Sequence, residues 1–141
     1  MSRWIVGLVL VAALVIGAIV VAVRPTQPLD PATPAGAVQR YVQLVMAGDH
    51  DLAAKYFATD TTCDAGDLDR AYVNREARID LLESSIDGNR AHVRISLSTP
   101  SDDILRDTWT EERTMRLVKV SGQWLLTGIP WPLYECGVWL K

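Results

Sequence analysis

The chain has 141 residues, with 14 Lys+Arg against 17 Asp+Glu for a formal net charge of −3, and the two signs are interspersed along it. A nucleic-acid binder needs a basic stripe, and none is present, so that class is excluded. The length leaves room for one domain, two cysteines allow a single bridge, and the preference for alanine, valine and arginine is of the kind GC-rich bacterial genomes encode.

Residues 1–3 are a short tail, and residues 4–23, "WIVGLVLVAALVIGAIVVAV", carry no charge. At about 1.5 Å per residue, a helix of that length spans the roughly 30 Å hydrocarbon core of a bilayer. The run is longer than the apolar stretch of a signal peptide, and its end, "VAVRP", offers no small-x-small cleavage site. It reads as an uncleaved signal-anchor, and a cleaved signal would export the remainder equally. The expected location is the cell membrane, single-pass, with the tail cytoplasmic and the domain on the extracytoplasmic side. Arg3 and Arg24 flank the run and bias the orientation only slightly. Ala13 and Gly17 form a small-xxx-small pair, one route to a homodimer.

In the linker, residues 24–34, Pro25, Pro28, Pro31 and Pro34 recur at every third position. That is the period of polyproline II, so the linker reads as a semi-rigid spacer in preference to a ligand for a proline-recognition groove. The domain is expected over residues 35–141, with a C-terminal tail from 130. Val38, Tyr41, Val42 and Val45 recur at helical spacing opposite Gln39, Arg40 and Gln43. Gly48 is placed to end this helix in a left-handed cap, and Asp49 to cap a second one carrying Leu52, Ala53, Tyr56 and Phe57. A third, weaker helix is expected across "DLDRAYVNREAR", with Leu68, Ala71 and Tyr72 on one face.

From Ile79 the period changes to two. Two strands are expected either side of Asp87-Gly88-Asn89, and in the second Ala91, Val93, Ile95 and Leu97 alternate with His92, Arg94, Ser96 and Ser98. A polar loop leads into "TWTEERTMRLVKV", and Ser121-Gly122 turns that run back into "QWLLTGI". Helices followed by an antiparallel meander predict an α+β domain with the helices on one face of a curved sheet.

The helix corner at "AGDHDLAAKYF", the alternating strand "RAHVRISLS" and the last hairpin "VSGQWLLTGI" together resemble the nuclear-transport-factor-2-like superfamily of cone-shaped α+β (cystatin-like) domains. The resemblance covers residues 35–130. It implies a cone whose cavity serves enzymes in some members and only binding or scaffolding in others, so it leaves function open. No catalytic motif of those enzymes can be placed here, and the tail from Pro130 runs past the usual last strand.

Chemistry-bearing patterns are sparse. His50 and His92 lack metal-ligand spacing, and "DTTCDAGDLDRA" has Ala65 and Ala71 where a calcium loop needs glycine and glutamate. It reads as a solvated acidic loop. No Gly-rich phosphate loop or nucleophile elbow occurs, so neither cofactor nor metal is expected. His92 is expected on the wet face of its strand and His50 facing solvent at the helix corner. Cys63 and Cys136 are expected to form a disulfide pinning the tail, since an exported domain meets an oxidising compartment. The reading is a membrane-anchored domain that binds a protein partner or ligand at the cell envelope without catalysis. The alternative is a carrier or enzyme whose cavity, lined by Tyr41, Tyr56 and Trp124, takes an apolar small molecule.

Overall fold

Thr33 starts the first helix. Its hydroxyl accepts the Gly36 N–H at 3.1 Å, and Pro34, at the first helical position, has no N–H to satisfy. In this computed structural model, which describes residues 27–99, 109–134 and 136, the helix α1 runs Pro34–Ala47. Gly48 closes it at φ 82°, a left-handed conformation open to glycine at little cost, with Asp49 N–H reaching the Leu44 carbonyl at 2.9 Å. Helix α2, His50–Ala54, follows at once.

Two expectations are corrected at this corner. Asp49 makes no side-chain cap, because its backbone is not extended; its carbonyl instead accepts the Leu52 and Ala53 N–H groups. Tyr56 and Phe57 lie beyond α2, because the sheet claims their backbone. Phe57 pairs in parallel with Leu126, whose N–H donates to the Tyr56 carbonyl at 2.7 Å, while Ala58 N–H donates to the Leu126 carbonyl at 2.8 Å.

Helix α3, Ala65–Arg70, is shorter than expected. Asp64 accepts the Asp67 N–H at 3.0 Å and Asp67 returns a bond to the Asp64 N–H at 2.9 Å, so the acidic loop serves as a reciprocal cap. Leu68 is fully buried, but the helix stops at Arg70 and Tyr72 stands 89% exposed.

The four strands β1, Arg78–Asp87, β2, Arg90–Thr99, β3, Trp109–Val120, and β4, Gln123–Thr127, form one antiparallel sheet in chain order. The fold is α+β. Ala91, Val93, Ile95 and Leu97 of β2, Met115 and Leu117 of β3, and Trp124 and Leu126 of β4 are buried in one core with Val38, Tyr41, Leu44 and Val45 of α1. Ser96, expected on the wet face, is also buried.

The end of the linker is fastened to α1, which an extended spacer would not be. Leu29 N–H donates to the Gln39 side chain at 2.8 Å, and the Gln39 amide donates to the Gln27 carbonyl at 3.3 Å. The Asp30 carbonyl accepts both the N–H and the hydroxyl of Thr33, and lies so close to Gly36 that a Cβ there would collide with it. Among the described residues no helix is long and apolar enough to cross a membrane; the run at 4–23 lies outside them.

Candidate binding groove

Helix α1 presents Ala37, Arg40 and Leu44 along one stripe, three and four residues apart. Opposite stands the start of β4, and Leu52, Lys55 and Tyr56 border the space as the chain leaves α2. Together they bound an open groove of about 660 Å³ that also touches Gln123, Trp124 and Leu125. Two residues distant in sequence, Tyr56 and Trp124, thus line one wall because the Tyr56 carbonyl is bonded to Leu126, two residues past Trp124. The Lys119 ammonium sits 5.5 Å from the centroid of the Trp124 ring, a cation–π contact between opposed residues of β3 and β4.

Tyr41 does not line this groove. It is completely buried with its ring 5.8 Å from that of Phe57, because its position in the α1 repeat points at the sheet and not along the Arg40 stripe. Its hydroxyl has no hydrogen-bond partner among the described residues, and burial pushes its pKa well above the usual tyrosine range.

The groove's charge is positive. Arg40 and Lys55 line it, neither is paired with a carboxylate among the described residues, and no acidic side chain lines it. Leu44, Leu52 and Leu125 supply apolar walls. Such a site attracts an anionic group attached to an apolar body. Sequence reasoning placed Arg40 on the wet face of α1 and gave Lys55 no role. The fold alone brings their side chains to one groove.

The other singled-out residues sit elsewhere. His92 is exposed on β2, opposite Ser85 and Arg116. His50 does not face solvent freely: its Nδ1 lies 2.5 Å from the Asp69 carboxylate, tying α2 to α3. No cluster of metal-ligating side chains occurs among the described residues.

Cys63 and Cys136 are at disulfide distance, with Cα atoms 5.2 Å apart. The segment between β4 and Cys136 is packed down as well. Pro130, Trp131, Pro132 and Leu133 are buried, the Trp131–Pro132 peptide is cis, and Tyr134 takes the Arg113 guanidinium over its ring at 5.1 Å. No family model, no curated protein and no solved structure matches the chain.

Proposed function

We propose that the chain is a membrane-anchored, extracytoplasmic binding module of the nuclear-transport-factor-2-like type, and that its groove receives a segment of a protein partner bearing a carboxylate beside apolar residues. The observation that carries the reading is the pair of cations, Arg40 and Lys55, unpaired with a carboxylate among the described residues and set beside leucine and aromatic surface. Anchoring rests on the uncharged run at 4–23, and export is supported by two cysteines held at disulfide distance, since such pairs stay oxidised outside the reducing cytosol. The helix corner at Gly48 and the meander that follows the helices support the superfamily reading.

The groove's volume favours a second reading. About 660 Å³ falls within the usual range of small-molecule sites, so an apolar acid of low mass is the alternative occupant. Both readings are tested on the full chain extracted from membranes after in-cell crosslinking. The expected result is a protein adduct present with the wild-type chain and lost with Arg40→Glu and Lys55→Glu together. Adducts insensitive to both charge reversals defeat the groove assignment. A bound small acid found by native mass spectrometry, with no protein adduct, selects the second reading.

A further inference from the structure

Strand β1 is bonded to β2 along one side, and among the described residues no strand lies along its other side. It is a bare edge of ten residues. A bulge between Leu81 and Glu83 resets its alternation. Before it, Ile79 and Leu81 stand opposite the buried Leu97 and Ile95; after it, Ser84 and Ile86 stand opposite the buried Val93 and Ala91. Opposed residues share a face, so all four lie on the side of the sheet that carries α1, while Arg78, Asp80, Glu83 and Asp87 lie on the other. The helix does not reach all of them. Leu81 is 44% and Ile86 60% exposed.

We propose that β1 pairs antiparallel with β1 of a second copy of this chain, about a twofold axis between Leu82 and Glu83, merging the two sheets into one. In that register Arg78 opposes the partner's Asp87, Ile79 the partner's Ile86, Asp80 the partner's Ser85, and Leu81 the partner's Ser84. No like charges meet. In a regular strand a twofold between two residues would set every opposed pair on opposite faces; the bulge's extra residue makes the faces agree. Bulges and charges commonly protect a sheet edge from such pairing, but here the bulge aligns it and the charges at the two ends are complementary.

Shape points the same way. Between α1 and β1 lies a groove of about 400 Å³ lined in part by Leu29, Val42, Ile79 and Leu81, and the pairing sets the partner's protruding Ile86 beside Ile79 at that groove. The backbone is also in phase. Asp87 and Arg90 close a two-residue turn as a bonded pair, so the alternation turns the N–H and C=O groups of Ser84 and Ile86 away from β2 and toward the partner. Arg78 already holds Asp80 on the same face at 2.9 Å, and its remaining N–H donors are available to the partner's Asp87.

The experiment places a photocrosslinking benzoylphenylalanine at exposed position 86 of the full chain in membranes and maps the linked peptide by mass spectrometry. Positions 86 and 79 of one chain are about 23 Å apart along the strand, so a link between them reports two chains. The expected product is a link from 86 to 79. Arg78→Asp or Asp87→Arg alone should weaken association about tenfold, each turning two attractions into two repulsions, and the double reversal Arg78→Asp with Asp87→Arg should restore the link. Absence of the 86–79 link, or a link indifferent to the single reversals, or one the double reversal fails to restore, overturns the proposal. So does a link from 86 to the apolar run at 4–23, which would place that run on this edge. The outcome is independent of what occupies the Arg40–Lys55 groove.

Discussion

The two edges of the sheet are treated in opposite ways. Beyond β4, Tyr56–Ala58 folds against Leu126 with two backbone hydrogen bonds, and further along both segments the chain is held again by the Cys63–Cys136 pair. Beyond β1 no strand pairs among the described residues. An edge closed by a short piece of its own chain becomes a firm wall, and the groove with Arg40 and Lys55 is built against it. An edge left open keeps its hydrogen-bonding groups for another molecule.

Removing the fastening at β4 is the strongest way to break this contrast. Replacing Cys63 and Cys136 together by alanine opens a loop of 73 residues and should cost about 4 kcal/mol of unfolding free energy in denaturant titration. Amide exchange should accelerate at Ala58 and Leu126 before it does in β2. Equal acceleration along β1 and β4 would show that the bridge steadies the whole sheet and not this edge.

A pair of truncations sharpens the comparison. Leu126→Ala empties a site 1% exposed and should cost about 3 kcal/mol, whereas Ile86→Ala, on the open edge, should stay within about 0.5 kcal/mol in a monomeric sample. Comparable losses would mean the two edges are packed alike.

The smallest effect lies between the edges, at Tyr41. Its buried hydroxyl lacks a partner among the described residues, so Tyr41→Phe should raise stability by about 1 kcal/mol. The pH dependence follows from the raised pKa: the folded state holds the phenolic proton more tightly than the unfolded chain does, so stability is full below about pH 10 and falls as pH rises beyond it. The phenylalanine variant should lose that part of the alkaline decline, and an unchanged profile in thermal melts would show that the phenol is not held away from water.

Legibility in the sequence followed the range of the interactions. The alternation of Ala91, Val93, Ile95 and Leu97 and the left-handed corner at Gly48 are local rules, and both were readable. The helical reading of Tyr56 and Phe57 failed because a strand nearly 70 residues later takes their backbone, a tertiary contact that overrides local preference. His50 looked free because Asp69 is 19 residues away. Tyr72 was given a helix face, yet the reciprocal Asp64–Asp67 cap sets α3 going early and it stops short. The exposure of β1 was hidden by its bulge, which no composition signal marks. The groove was illegible for the same reason as the pairing of Phe57 with Leu126: Arg40, Lys55, Tyr56 and Trp124 meet only after the sheet has closed on the helix corner.

The clasp of Gln39 on Gln27 and Leu29 has a mechanical consequence. Tension arriving from the N-terminal side enters the domain at α1, through a glutamine side chain and the turn at Asp30, and not through the sheet. The clasp therefore works as a splint that sets the angle at which residues 27–30 leave the helix.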